Sequence, residues 1–157
     1  MSNSILTSIK KLLGIDEAYT AFDVDVLMHI NSAFATLHQL GVGPVSAYYI
    51  EDKSAEWSSF IEGETYLNSV KSLVYLRVKL LFDPPSTSFG IDSMKETAKE
   101  YEWRLNVAAE QGLIIPAVPN DSTDIWLMDD EDTDLPEGAV PGDLGIDPET
   151  GNVWMYT

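Results

Sequence analysis

Apolar and polar positions along the chain fall into four stretches with helical spacing, separated by polar or glycine-bearing breaks. Ile5, Leu6, Ile9, Leu12 and Leu13 recur at the three- and four-residue spacing that gathers side chains on one helix face, and Gly14 closes the run. This predicts a helix over residues 3–13. A second stripe, Val26, Leu27, Ile30, Ala33, Phe34, Leu37 and Leu40, predicts a helix over 23–40 that Thr20 or Asp23 can cap and Gly41 ends. The third stretch, 65–82, is apolar on more than one face (Tyr66, Leu67, Val70, Leu73, Val74, Leu76, Val78, Leu80, Leu81). A helix of that kind is central, with neighbours on several sides. Asp83-Pro84-Pro85 stops it, because proline lacks a donor and pushes the residue before it out of the α region. Met94, Ala98, Tyr101, Leu105 and Ala108 predict a fourth helix over 92–111, begun by Asp92 or Ser93, ended near Gln111 and Gly112, and antiparallel to the third. Between the second and third helices, GVGP (41–44) reads as a loop, VSAYYI (45–50) as a short extended piece and SAEWSSFI (54–61) as a helical turn.

After Pro116 the pattern changes. The runs DDEDTD (129–134) and PEGAVPG (136–142) are linker-like. GDLGIDPETGNVWMYT (142–157) reads as two short strands around Asp-Pro-Glu-Thr-Gly, with Pro148 at the first corner of a turn and Gly151 closing it. Ile125-Trp126-Leu127-Met128 can add a third strand. The expected fold class is therefore mainly α: a four-helix-type bundle with an acidic C-terminal extension ending in a β-hairpin. Its expected divisions are a helical domain (1–115), an acidic linker or arm (116–141) and the hairpin (142–157). An isolated hairpin is marginal in water, so the tail is expected to lean on something else, such as a neighbouring chain.

Charge sharpens the same border. The 157 residues carry nine Lys and Arg against 26 Asp and Glu, a formal net charge of −17. All nine bases lie between Lys10 and Arg104; residues 1–115 hold 15 acids, a net of −6, and residues 116–157 hold 11 acids and no base. Such a chain will not hold duplex DNA tightly, because affinity for phosphates comes mainly from Lys and Arg displacing counterions. Contact with DNA that must not stick stays open. The 45% hydrophobic content suffices for a core, and the length suits one domain plus an appendage. The absence of cysteine excludes disulfides and thiolate metal sites. The apolar runs fall short of a membrane span, and residues 1–14 lack a signal peptide's h-region and cleavage site, so folding in the cytosol is expected.

Few residues suggest chemistry. His29 and His38, nine apart on one helix, point to opposite sides and cannot share a metal if that helix is straight. Asp130-x-Asp132-x-Asp134 has the spacing of the first calcium ligands of a helix–loop–helix site. Leu135 stands where such a loop needs glycine and Pro141 where it needs a bidentate glutamate, so a solvated linker is the stronger reading. No nucleophile elbow, glycine-rich phosphate loop or H-E-x-x-H is present. No enzyme activity and no cofactor are expected. The cations invite more interest. Arg77 shares a stripe with Val70, Leu73 and Leu80, so its guanidinium must reach outward or find a carboxylate. Within the subunit Glu100 or Glu102 can serve; across an interface, where Arg is enriched and Lys is not, a neighbour would. Both readings stand at this level. The large aromatics Trp57, Trp103 and Trp126 pose the same choice between core and interface. Arg77, Lys79, Trp103, Arg104, Leu105 and Trp126 are accordingly the candidate interface residues, with no catalytic or metal-binding residue among them.

One order of segments is distinctive: an N-terminal helix, FDVDVLMHINSAFATLHQLGVGP (22–44), a Trp in an acidic loop, SVKSLVYLRVKLLFDPPSTS (69–88) and KEYEWRLNVAAE (99–110). It resembles the head–tail connector (adaptor) proteins of tailed bacteriophages, particularly the small helical connectors that form a ring below the portal. The likeness covers residues 1–111, about 70% of the chain, and is strongest in MHINSAF, LLFDPP and EWRLN. The resemblance implies a ring, usually of twelve copies, on the portal protein in the neck of the virion, assembled in the host cytoplasm. Such a ring extends the DNA channel used in genome packaging and ejection, and it docks stopper or tail-completion proteins. DNA would be non-sticking cargo in a lumen lined by acidic subunits, and no membrane is involved. In such connectors the segment after the helices often reaches the portal, here about residues 105–128; the acidic ending 129–157 departs from the short connectors. Alternatives are a stopper, head-completion or tail-completion protein, more often β-rich, and an acidic module that mimics nucleic acid to occupy a basic partner.

Overall fold

The computed structural model describes residues 3–117 in full, and beyond them the backbone of three strands, 125–127, 144–146 and 153–155. Four helices dominate: α1 (Ile5–Leu12), α2 (Asp23–Gln39), α3 (Leu67–Phe82) and α4 (Ser88–Glu110). A 3-10 turn (Trp57–Ser59) and a two-stranded sheet of β1 (Ile61–Glu62) and β2 (Ile115–Pro116) complete this part. The pairing is antiparallel, Ile61 opposite Pro116 and Glu62 opposite Ile115, and ties the chain after α4 to the stretch before α3.

Local chemistry sets the helix ends. The Ser4 hydroxyl accepts from the Thr7 N–H (3.3 Å) and caps α1. Neither Thr20 nor Asp23 caps α2 through its side chain; Phe22 occupies the cap position without a side-chain bond, and Asp23 is the first helical residue. At the far end of α2, Gly41 takes φ +77°, which lets the Val42 N–H reach back to the Leu37 carbonyl (2.9 Å) and close the last turn. Helix α4 begins at Ser88, four or five residues before the expected start at Asp92 or Ser93. Its cap is Thr87, whose hydroxyl accepts from the Gly90 N–H (3.1 Å). A Cβ on Gly90 would stand 2.9 Å from the Pro85 Cβ, so glycine here lets the Pro-Pro corner lie directly on the first turn of α4. The helix is 23 residues long, about 34 Å at the usual rise.

Two smaller stretches take definite form. Residues 45–50 form no strand: the backbone is irregular, and Ile50 is held by the Asn31 side chain, which accepts from its N–H (2.8 Å) and donates to its carbonyl (2.9 Å). A β-rich composition there yields to a side chain that mimics a strand partner. Within 54–61 only the 3-10 turn is helical; Ile61 belongs to β1.

The core forms where α2 and α3 pack together with α1 against them. Val26, Ile30, Ala33, Phe34 and Leu37 of α2 meet Val70, Leu73, Val74 and Val78 of α3, with Ile5, Leu6 and Ile9 of α1. Helix α3 also packs on α4, and only Asn68 and Leu81 of its sixteen residues are exposed. This explains its all-round apolarity: it is the helix with neighbours on most sides. Phe34 is the aromatic hub, its ring centroid 4.7 Å from Phe60, 5.0 Å from Tyr48 and 6.2 Å from Trp57. Trp57 is fully buried, with its indole N–H donating to the Ser8 hydroxyl (2.9 Å) and the Lys71 ammonium over its ring. Burial pushes the Tyr48 hydroxyl above its ordinary pKa, against the opposing effect of its hydrogen bond with Ser59.

The chain separates into two compact units, Met1–Val118 and Pro119–Thr157. In the second unit β3 (Ile125–Leu127) pairs parallel with β4 (Leu144–Ile146), which pairs antiparallel with β5 (Val153–Met155). The turn expected at residues 147–151 and the acidic run 129–134 lie outside the described residues.

Candidate functional site

The candidate interface residues separate once burial is known. Arg77 bonds Glu102 of α4 (2.5 Å), with about a third of the guanidinium side chain and a quarter of the glutamate side chain exposed. Its partner is therefore inside the subunit. Lys79 pairs with Asp83 one turn on, and Arg104 with Glu100 one turn back. Arg104 stays largely exposed, whereas only about a quarter of the Lys79 side chain meets solvent. Trp103 is 66% exposed, in contrast to buried Trp57, so of these two tryptophans Trp57 alone belongs to the core. Leu105 is a correction: at 1% exposure it packs into the core, since it falls on the one face of α4 that meets the body, and it presents no surface to a neighbour. Trp126 belongs to β3, where the backbone alone is described.

Two exposed apolar faces emerge that the helix pattern did not single out. The first is the outer side of α2. Val24 (78% exposed) and Met28 (60%) stand one turn apart, opposite the buried stripe, with Asp25 beside them. Near the start of the same helix Tyr19, Phe22 and Phe82 form an aromatic chain with 5.4 Å between successive rings. Residues 16–28 include Asp16, Glu17, Asp23 and Asp25 and no base. A signal for this face existed in the sequence: Val24 and Met28 are the large apolar residues of α2 that lie off its stripe.

The second face is a groove of about 530 Å³ between the end of α3 and the first half of α4. Leu80, Leu81, Pro84, Ile91 and Ala98 give it an apolar lining, and Arg77, Lys95, Lys99 and Glu102 supply its charges. None of the first ten residues of α4 is buried, and Phe89 is 83% exposed, so this half of the helix borders the groove without closing it. The groove residues carry three cations and one carboxylate on a chain of net charge −17, a local reversal of sign.

A third feature lies under the α1–α2 connection. Lys10 is 2% exposed, and its ammonium meets the Tyr19 carbonyl (2.7 Å), the Glu17 carbonyl (3.1 Å) and Asp23 Oδ1 (2.7 Å). Asp23 Oδ1 takes that ion pair and no other hydrogen bond. The arrangement clasps the loop to α1 and holds the start of α2. Nothing in the pattern of apolar positions marks it, because Lys10 reads as one of two adjacent surface lysines. Asp52, whose carboxyl is held below the usual range by hydrogen bonds from Ser54, is a turn residue of the exposed 51–54 loop.

Among the described residues no group of three His, Cys, Asp or Glu side chains could hold a metal ion. His29 is half-buried and His38 exposed on α2. No described helix is long and apolar enough to cross a membrane.

Comparison with curated proteins and with solved structures returned no match. The family profile described as phage connector protein matches residues 5–112, from the first residue of α1 to the glycine that ends α4. That span takes in all four helices, both exposed faces and more than two thirds of the chain, so this protein belongs to the phage connector family and has a connector-type structural role in a bacteriophage.

Proposed function

We propose that this chain is the ring-forming connector of a virion neck, bound to the portal protein, where it extends the DNA channel and gives stopper or tail-completion proteins a docking surface. It acts by joining symmetric parts and catalyses nothing. The helical domain, residues 1–115, would form the ring, and the acidic arm and C-terminal strands would serve its contacts with other neck proteins. Family membership supports the connector role, and one observation on the subunit carries the ring reading. A single copy bears two separate exposed apolar faces, the outer side of α2 and the α3/α4 groove, that share no residue. A ring contact is heterologous and needs two different patches, whereas a two-fold dimer needs one. A subunit charge of −17 also suits a lumen through which DNA passes without sticking.

Native mass spectrometry and negative-stain imaging of the purified chain, alone and mixed with portal protein, test this. A closed ring of twelve copies on the portal is expected. A chain that stays monomeric and does not co-purify with portal would sink the proposal. Tight capture of a basic DNA-binding protein by that monomer would favour the acidic-module reading instead.

A further inference from the structure

Resting on the ring reading, we propose that the outer face of α2 from one copy lies in the α3/α4 groove of the next. Shape and charge both point to this pairing. Val24 and Met28 are apolar anchors at i and i+4 on an exposed helix face, which is how an amphipathic helix presents itself to a groove. The groove offers apolar Leu81 and Ile91 between two helices, with Lys95 and Lys99 one turn apart on its α4 side. Lys95 takes no ion-pair partner among the described residues, and Lys99 pairs only with solvent-exposed Glu96.

The charges of the two faces are opposite in sign. The α2 approach, residues 16–28, holds four carboxylates and no base, and only Asp23 among them is engaged by Lys10. In the groove, apolar surface and an excess of cations coincide. On so acidic a chain, two copies repel one another in most orientations. Bringing 16–28 of one against Lys95 and Lys99 of the other selects a single docking. The two faces share no residue, so every copy can give one and receive another, which a closed or helical series requires.

The test uses the full-length chain under the conditions in which it assembles, read by sedimentation velocity and native mass. Lys95→Glu with Lys99→Glu should lower the association constant by about tenfold or more, with the far-UV spectrum and the Tm of the monomeric chain unchanged because both side chains are exposed. Asp25→Lys alone should weaken assembly too. Adding Asp25→Lys to the groove double variant should restore part of it, since the introduced lysine then faces the introduced glutamates. Met28→Ser should weaken assembly without a change in salt dependence. Wild-type rings with variants that assemble equally well would overturn this pairing and leave the ring reading intact. A wild-type chain that never assembles, with portal or without, would overturn both. Loss of portal binding in the groove variant while self-association persists would assign the groove to the portal and likewise overturn the pairing.

Discussion

Lys10 shows how much a single residue can organise. A buried ammonium held by two carbonyls and a carboxylate is stable only as a complete set, because any one partner left alone in the interior loses its solvation without compensation. Lys10→Met should therefore destabilise the fold by about 3 kcal/mol, read as a shift in urea midpoint at constant slope. Lys11 is exposed, and Lys11→Met should leave the midpoint nearly unmoved. The Arg77–Glu102 pair behaves differently. Both side chains keep solvent contact, so a double-mutant cycle to Ala should give a coupling of about 0.5–1 kcal/mol, within the range of exposed pairs. A coupling of several kcal/mol would mean that the groove is far drier than its geometry indicates. At this scale the sequence posed the right question about Arg77 and named Glu102 as one answer. It could not choose, because the choice depends on how α4 is rotated against α3.

Among the elements, helix boundaries were legible where a local stop signal exists. Gly14, Gly41 and the proline pair end their helices within a residue or two of the expected positions. The start of α4 was missed because Gly90 looks like loop. Its space is set by Pro85, which sequence spacing does not reveal. Thr87→Ala removes the cap and should cost about 1 kcal/mol, with faster amide exchange confined to residues 88–93. The loop after α2 is less forgiving. Gly43 has φ +98°, and a Cβ there would lie 2.3 Å from the Phe60 ring, a buried side chain with no room to retreat. Gly43→Ala should lower stability by at least about 2 kcal/mol through strain and overpacking together. Gly63 also has positive φ but open space around its Cβ position, so Gly63→Ala should cost only about 1 kcal/mol by calorimetry.

For the molecule as a whole, every buried core residue described falls between Ile5 and Ala108. A chain cut after Val118 is therefore expected to keep the helical spectrum and a Tm within about 2 °C of the full-length value. It would carry a net charge of −6 in place of −17. A much larger fall in Tm at protein concentrations where the chain is monomeric would show that the body relies on what was removed. The same cut separates the two tasks of an assembly protein, since ring formation by the shortened chain would assign the ring contacts to the helical unit.

The sequence by itself determined the number and type of the main helices, the centrality of α3, the change of character after residue 115 and the connector family. These are legible because periodicity, capping residues, prolines and charge act over a few residues at a time. Only the tertiary structure decided which apolar side chains stay uncovered. Trp57 and Trp103 look alike in sequence, yet one anchors the core and the other faces solvent. Val24 and Met28 differ from Val26 and Ile30 only in the side of α2 they occupy. Which side is covered depends on residues distant in the chain, and the same long-range packing opens the groove between α3 and α4.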